Sequence, residues 1–284
     1  MSYTVESVLD IRCRLTELVD ILIDTYSTDE VISEVMSLRG YNFSPYSEEI
    51  RKTLKEVGIF KFDYISDLTL VSPKTTNEEL NLFGLVNSDG SYFLSGRYVV
   101  PIRDIAGRVT ALVGWYPDVK KYLTTTTIGF SKSGQFFNME CFSKSFDGDY
   151  AKYKDEETNE VLESKGLVYL VEGIFDTLSL RSLNLPALGN MGLEMSLVKS
   201  EILTRFNKVI AIPDNDRAGM RTNPYLNRLS GSGKGTEWTI KNNHVIVQLP
   251  KGVKDVDDFI KGYYCLEDLL KCQKANYKIS LSEE

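Results

Sequence analysis

Apolar side chains recur every three to four positions through roughly the first 60 residues, and this spacing predicts amphipathic helices. The N-terminal stretch MSYTVESVLDIRCRLTELVDILIDTY carries acidic and arginine side chains inside that pattern, which is typical of a surface helix and not of a signal peptide. Further along, RYVVPI and VTALVGWY predict two strands joined by a tight turn at Gly107. The following KKYLTTTT fits either a further strand or an extended loop.

The pattern changes after residues 146–165, a highly charged and weakly apolar segment that predicts a boundary between two units. Beyond it, the apolar runs LVYLV, KVIAIP and HVIVQLP alternate with segments of helical periodicity. This alternation predicts a parallel sheet covered by helices, and so an α/β fold class. We predict a mixed helical and α+β domain at 1–158, and a domain at 159–284 that holds the parallel sheet and ends in a short helix.

Acidic side chains follow each of these three apolar runs. The residues are Glu172 after the first, Asp214 and Asp216 after the second, and Asp255, Asp257 and Asp258 shortly after the third. Ligands of parallel sheets bind beyond the carboxyl ends of the strands, so we expect these acids at one edge of the sheet. The D-x-D spacing allows both carboxylates of an extended segment to point the same way and to reach one ion.

Carboxylates gathered in one place repel each other strongly unless a cation lies between them. Hard oxygen ligands without a nearby His or Cys favour Mg²⁺ or Mn²⁺ over zinc. We expect two or more such ions, because a pair can stabilise the attacking and the leaving oxygen of a phosphoryl transfer. A single acid after a strand is also a common helix N-cap, and this alternative stays open for Asp176 and Asp258.

The other metal-binding residue types are sparse. Cys13, Cys141, Cys265 and Cys272 form no C-x2–4-C pair, and His244 is the one histidine, so we expect no zinc in this chain. Scattered cysteines suit a reducing cytoplasm, and each is expected to be a small buried apolar residue. Since no apolar run approaches the roughly 20 residues that span a bilayer, we expect no membrane partner.

Charge is unevenly distributed along the chain. The net charge of −7 argues against indiscriminate binding to polyanions. Residues 97–132, however, hold six basic and two acidic side chains. A basic strip on an acidic body suits a selective groove for a phosphate backbone, and a solvated face with an accidental excess is the alternative.

Three short stretches resemble the motifs of a Toprim domain. VEGIFDTLSL, AIPDNDRAG and KDVDDFI correspond to the E-G-x-x-D, D-x-D-x-A-G and D-P-D-[DE] types. Upstream, GRYVVPIRDIAGRVTALVGW, KKYL and FSKSG resemble the basic half of the polymerase core of DnaG-type DNA primases. The resemblance covers residues 35 to 262 approximately. The family's zinc-binding and helicase-binding modules have no counterpart here, so we expect a bacteriophage or mobile-element version.

The resemblance also implies roles for individual residues. Glu172, Asp214 and Asp216 would be catalytic, and these three with Asp255 and Asp257 would hold the metal ions. Arg97, Arg103, Lys121 and Lys132 would line the groove for template and nucleotide phosphates. The sequence departs from the family pattern at Asn215, where glycine is usual, at Val256, where proline is usual, and at Trp115. The tryptophan could stack on a base or pack inside the protein.

These implications lead to one functional hypothesis and two alternatives. The hypothesis is a cytoplasmic DNA primase, in a bacterial cell or a phage-infected host, that joins ribonucleoside triphosphates on a single-stranded DNA template. A replicative helicase and a separate zinc-binding module are the other expected partners. The alternatives are a Toprim-family nuclease and a non-catalytic module that binds nucleic acid.

Overall fold

The computed structural model describes residues 4–62, 68, 72–117, 119–142, 152–154, 161–163, 166–192, 195–206, 208–215, 243–262, 264, 267–269 and 271. Within these ranges, no helix is both long enough and apolar enough to cross a bilayer. The chain forms two compact units, the first comprising 1–42 and 47–131 and the second comprising 43–46 and 132–284. The expected domain boundary at 158/159 lies outside the described residues and stays a prediction.

The first unit begins with helices and continues into an antiparallel sheet. Its helices are α1 (Val5–Tyr26), α2 (Asp29–Arg39), α3 (Ser47–Val57) and α4 (Asn77–Leu82), and its strands are β1 (Phe60–Lys61), β2 (Tyr98–Arg103), β3 (Val109–Tyr116) and β4 (Val119–Thr124). The strands lie in the order β1-β2-β3-β4, and every neighbouring pair is antiparallel. The predicted turn at Gly107 joins β2 to β3, and KKYLTTTT supplies strand β4.

Helix α1 packs against this sheet through its apolar stripe. Leu15, Leu18 and Leu22 lie in the same buried cluster as Val99 and Leu112 of the sheet. This contact is the reason for the three-to-four spacing of leucines near the N-terminus, because that spacing puts them on one face of the helix.

Trp115 belongs to this packing and does not lie open for a base. It is 6% exposed, and its ring lies 5.5 Å from that of Tyr98. The guanidinium of Arg39 lies over the Trp115 ring, 5.5 Å from its centroid. Of the two interpretations of Trp115, the structure supports internal packing.

The second unit contains the predicted parallel sheet. Its strands are β7 (Leu167–Val171), β8 (Ala187–Gly189), β9 (Lys208–Ala211) and β10 (Asn243–Ile246), its helices are α5 (Ile174–Ser182), α6 (Leu197–Leu203) and α7 (Val256–Lys261), and a separate hairpin pairs β5 (Lys152–Lys154) with β6 (Val161–Glu163). The order is β10-β9-β7-β8, with all three pairs parallel. The predicted α/β fold class is therefore confirmed.

The register of these strands aligns their carboxyl ends. Leu170 of β7 pairs with Ala211 of β9, which pairs with Ile246 of β10. On the other side, Val171 pairs with Gly189, the last residue of β8. The residues that follow the four strands consequently start from one edge, and this alignment places the acids of the site.

Lys199 is a charged side chain buried inside the second unit. It lies on α6, is 1% exposed, and donates hydrogen bonds to the main-chain oxygen and to Oδ1 of Asn190. Its ammonium also lies 5.1 Å from the centroid of the Phe136 ring. Burial and, to a lesser extent, the charge of Lys132 together lower the pKa of Lys199 to about 8.

One expectation from the sequence is wrong, and another stays a prediction because it falls outside the described residues. Cys13 and Cys141 are exposed, so the prediction that they are buried is wrong. Cys141 donates to Oδ1 of Asn138 at 3.0 Å, an interaction that a buried apolar role would not need. The helix expected just after Asp216 lies outside the described residues.

Gly84 offers a test of local packing in the first unit. It has a φ of +70°, and a Cβ there would lie 2.7 Å from the backbone nitrogen of Thr126. Gly90 also has a positive φ, +82°, but a Cβ there would meet nothing within 4 Å. We expect Gly90→Ala to lower the free energy of unfolding by about 1–2 kcal/mol. Gly84→Ala should lower it by a further ~1–3 kcal/mol from the steric conflict. Urea denaturation of both variants measures the difference, and equal losses would contradict the packing at Gly84.

The Lys199 pKa predicts a pH dependence of stability. The unfolded state binds this proton with a pKa of about 10.4, so it holds more protons than the folded state between pH 8 and about 10. The free energy of unfolding should therefore rise with pH over this window, relative to Lys199→Met, by up to about 1.4 kcal/mol per pH unit. Below pH 7 the difference in free energy of unfolding between the wild type and Lys199→Met should not change with pH.

Urea denaturation at half-unit intervals from pH 6.5 to 9.5 measures this dependence. Lys52→Met is the matched control, since the Lys52 side chain is 78% exposed and its removal should give a flat difference. A flat difference for Lys199→Met as well would show that the ammonium stays charged in the folded protein.

Candidate functional site

The acids that follow β7 and β9 meet at the aligned edge of the parallel sheet. Glu172 is the first residue after β7, and its Oε1 accepts a hydrogen bond from the backbone N–H of Asp214 at 3.3 Å. Asp214 follows β9 after Ile212 and Pro213. The backbone N–H of Ile212 continues the pairing of the strands by donating to Leu170 at 2.9 Å. The sheet thus brings Glu172 and Asp214 together, as the sequence predicted.

A second group of acids lies at the start of α7. Asp255 is the N-cap of this helix, and its Oδ1 accepts from the backbone N–H of Asp258 at 2.8 Å. Asp255, Asp257 and Asp258 each offer a carboxylate oxygen, and these three oxygens lie within 4.8 Å of one another. Asp257 is 2% exposed, and its Oδ1 accepts from the Ser179 hydroxyl at 3.1 Å.

Asp176 connects the two groups. It lies in the first turn of α5, four residues after Glu172, and its Oδ1 accepts from the backbone N–H of Asp257 at 3.0 Å. Gly173 leaves room for this carboxylate, because a Cβ at that position would collide with Oδ2 of Asp176. The Glu-Gly-x-x-Asp spacing therefore has a steric reason: the glycine leaves room for the buried Asp176 behind the half-buried Glu172.

Electrostatic repulsion at this edge is visible in the pKa values of the acids. Burial raises the pKa of Asp176 to about 8, and the charges of Asp255, Asp257 and Asp214 act in the same direction. Burial, followed by the charge of Asp255, also raises the pKa of Asp258. Carboxyl groups with raised pKa values are costly to ionise in this place, and a bound cation would offset that cost. The site therefore favours a bound cation.

Two lysines partly compensate the negative charge. The ammonium of Lys254 lies 2.6 Å from Oδ2 of Asp255 and 3.8 Å from Oδ2 of Asp214. Burial alone would lower the pKa of Lys254, but the hydrogen bond with Asp255 and the surrounding negative charges raise it above its ordinary value. Lys261 pairs with Asp257 one helical turn further along α7.

The donor set fits a hard divalent cation. Each carboxylate offers about four lone-pair positions, so an acid that caps a helix or pairs with a lysine keeps further acceptor capacity. Three clustered carboxylates, all oxygen donors, match the preference of Mg²⁺ and Mn²⁺. Asp255, Asp257 and Asp258 would hold such an ion, with Glu172 and Asp214 at the same sheet edge.

The sequence-based predictions for these acids have mixed outcomes. Asp255 and Asp257 lie together, as do Glu172 and Asp214, although their roles as ligands stay predictions. Asp216 lies outside the described residues. Asp176 does not cap its own helix, because the N-cap of α5 is Gly173, which makes no side-chain bond.

Two acids at this edge, Asp258 of the cluster and Asp176 behind it, were left out of the predicted ligand set. Asp258 belongs to the oxygen cluster, while the capping role considered for it is filled by Asp255. The sequence does contain a signal for Asp176, because this residue lies four positions after Glu172, about one helical turn beyond the end of β7.

The predicted phosphate-binding residues are divided between the units. Arg97, Arg103 and Lys121 belong to the first unit and Lys132 to the second, so their joint groove stays a prediction. The Arg103 guanidinium pairs with Asp20 at 3.0 Å and donates to the Gly107 carbonyl at 3.0 Å.

Three further details concern these basic residues. Lys132 is exposed, in a short 3₁₀ helix at Lys132–Gly134. Arg97 lies over Gly114 of β3, where a Cβ would come within 2.7 Å of its Cδ. Lys121 is in strand β4, and its side chain lies outside the described part of the structure.

Comparison with known proteins gives a consistent result for the fold. Residues 169–260 match a family described as Toprim-like. No curated protein matches the sequence at a significant level. Solved structures do match, over nearly the whole chain and at low sequence identity.

Three of these structures illustrate the likeness. The zinc-binding and RNA polymerase domains of the Aquifex aeolicus primase match with a TM-score of 0.68 and 21% identity, over 96% of this chain and 62% of that one. The E. coli primase catalytic core matches with a TM-score of 0.65 and 20% identity, over 92% of this chain and 80% of that one. A DnaG primase catalytic domain bound to single-stranded DNA matches with a TM-score of 0.63 and 20% identity, over 94% and 80%.

The matched range of the Toprim-like family contains both acidic groups and the strands that align them. The structural likeness extends beyond that range into the antiparallel sheet of the first unit, since it covers at least 92% of the chain in these three comparisons. The chain therefore has the fold of the DnaG primase catalytic core, and its residues 169–260 form a Toprim-like domain.

Proposed function

We propose that this protein is a DNA primase, a DNA-directed RNA polymerase that synthesises short RNA primers on single-stranded DNA. The 3′-hydroxyl of the growing primer attacks the α-phosphate of the incoming ribonucleotide, and pyrophosphate leaves. One observation carries the proposal: a carboxylate cluster lies at the edge of a parallel sheet in a chain that matches the DnaG catalytic core over 92% of its own length. A Toprim-like domain alone would suit a nuclease equally well.

The acids of the second unit have separate tasks in this proposal. Asp255, Asp257 and Asp258 hold a divalent ion, and Glu172 orients or assists the reacting groups beside Asp214. Divalent ions bound there would supply charge stabilisation to the attacking and leaving oxygens. Asp176 stays buried behind the cluster and keeps the N-terminus of α7 in place through the backbone N–H of Asp257.

The basic residues bind phosphates of template and nucleotides. Lys132, exposed on the second unit, is suited to a phosphate contact. Arg103 would share its guanidinium between Asp20 and a phosphate, because a guanidinium offers five N–H donors. The DnaG catalytic domain bound to single-stranded DNA supports this assignment as a precedent for the fold.

The first test is template-dependent primer synthesis with the purified protein. Single-stranded DNA, the four ribonucleotides and Mg²⁺ or Mn²⁺ are supplied, with and without the replicative helicase. We expect short RNA products from the wild type and a loss of at least about 100-fold with Asp214→Asn, because the variant loses a carboxylate that would help to hold the divalent ion, and with it charge stabilisation of the transition state. Asp89→Asn is the matched control, because Asp89 is an exposed turn acid of the first unit and its variant should retain full activity.

The same reactions separate the alternatives. Cleavage of a labelled single strand in Mg²⁺ without nucleotides would support a nuclease instead. Salt-sensitive binding of single strands with no turnover, even when the helicase is present, would support a non-catalytic module. Primer synthesis by Asp214→Asn at the wild-type rate would contradict the assignment of that residue.

The proposed phosphate contact of Arg97 makes a further prediction. Arg97→Ala should weaken binding to single-stranded DNA by roughly 3–10-fold and reduce the slope of log K against log salt by about 0.7, because one phosphate contact is lost. Arg51→Ala is the control, since Arg51 bonds Ser33 on the helical side of the same unit. Fluorescence anisotropy at four salt concentrations measures both quantities, and an unchanged slope would remove Arg97 from the interface.

A further inference from the structure

Asn215 makes an unusual set of hydrogen bonds next to the acids. Its side-chain Nδ2 lies 3.0 Å from the carbonyl oxygen of Leu249, 3.2 Å from that of Pro250 and 2.9 Å from that of Val253. Its backbone N–H donates to the carbonyl of Lys254 at 2.6 Å. The nitrogen of a side-chain amide donates hydrogen bonds, whereas its oxygen only accepts them. Because three carbonyl oxygens surround this end of the Asn215 side chain, the nitrogen must face them, and the orientation of the amide is fixed.

These bonds join the two segments that carry the acids. Asn215 directly follows Asp214, and the accepting carbonyls occupy the loop that ends just before Asp255. One residue therefore fixes the end of β9 to the loop between β10 and α7. Without its side chain, the repulsion between Asp214 and Asp255 would be opposed by the ammonium of Lys254 and by the backbone hydrogen bond from Asn215 to Lys254.

Asn215 differs from Lys254 in one important respect. Lys254 holds Asp214 and Asp255 with a positive charge, which also competes with any cation for the same oxygens. The amide of Asn215 is neutral, and within the described residues its nitrogen bonds to backbone carbonyls and to none of the acids, so it can stay in place when a cation binds. The glycine that is usual at this position of the motif could not make these side-chain bonds.

We propose that Asn215 is a positioning residue that holds the Asp214 segment against the Asp255 segment and thereby raises the affinity of the acidic site for a divalent cation. The inference rests on the metal-binding part of the proposed function. In this proposal Asn215 acts by positioning the acids, and it contacts neither the ion nor the substrate. A ligand set held in its binding geometry binds its ion more tightly, because less conformational freedom is lost on binding.

The test compares Mn²⁺ binding by the full chain and its variants. Asn215→Gly removes the three side-chain bonds and leaves the backbone bond. Asn215→Ser keeps one hydroxyl donor. Asn184→Gly is the matched control, because Asn184 is exposed in the same unit and has a φ of 58°, which glycine adopts readily. Free Mn²⁺ is followed by electron paramagnetic resonance, and the melting temperature without metal shows whether each variant is folded.

We expect Asn215→Gly to bind Mn²⁺ about 10-fold more weakly, which corresponds to ~1.4 kcal/mol. Asn215→Ser should lie between this variant and the wild type, and Asn184→Gly should match the wild type. In primer synthesis, the Mn²⁺ concentration for half-maximal rate should rise by the same factor, while the rate at saturating Mn²⁺ stays within about threefold. A purely structural role would lower the melting temperature and leave Mn²⁺ affinity unchanged.

Each outcome supports or overturns the inference. An affinity of Asn215→Gly within twofold of the wild type overturns it, even if the wild type makes primers. If Asn215→Gly does not fold, the affinity of Asn215→Ser decides by the same criterion. If the wild type makes no primers but its Mn²⁺ affinity depends on Asn215, the proposed function fails and the inference stands. A wild type that binds no Mn²⁺ overturns both.

Discussion

The repulsion among like charges at one edge of a sheet governs the organisation of the second unit. Four parallel strands end in register, and the chain places Glu172, Asp214 and the acids of α7 at that edge. Such a group would spread apart without compensation, since carboxylates a few ångströms apart destabilise one another. The structure supplies compensation in two forms. Lys254 and Lys261 add positive charge, and neutral groups such as Ser179, Asn215 and the backbone of α7 hold the acids in place.

The buried acid behind the cluster illustrates how the motif and the fold depend on each other. Burial and the neighbouring negative charges raise the pKa of Asp176, so it adds little negative charge at neutral pH, and it binds the first turn of α7 through the backbone N–H of Asp257. Gly173 is needed because a side chain there would occupy the position of the Asp176 carboxylate. The Glu-Gly-x-x-Asp motif therefore meets a packing requirement in addition to supplying reactive groups.

Much of the architecture was predictable from the sequence, for identifiable reasons. Alternating apolar runs and amphipathic helices predict the parallel sheet, and RYVVPI with VTALVGWY predicts the hairpin β2–β3, because both depend on local periodicity. The acids at strand ends were predictable because the ends of parallel strands share one edge. The likeness to DnaG cores confirms the fold that the motifs implied.

Features that depend on side-chain partners were not predictable in the same way. Nothing in the sequence shows that Arg103 pairs with Asp20, 83 residues away. The exposure of Cys13 depends on which face of α1 meets the sheet, and the partners of Asn215 lie more than 30 residues further along the chain. Periodicity indicates a face, but long-range pairing decides which polar groups meet.

The edge of the parallel sheet beside β8 has a consequence for dissecting the chain. Phe137 pairs with Gly189 as an antiparallel bridge, and Phe136 is fully buried in the cluster that also contains Leu170 and Leu188. A fragment that began after this stretch would lose the buried Phe136 side chain from its core. It would also leave the edge of β8 open to pairing with another molecule. The smallest autonomous piece carrying the acids should therefore start near residue 132, where the compact second unit resumes.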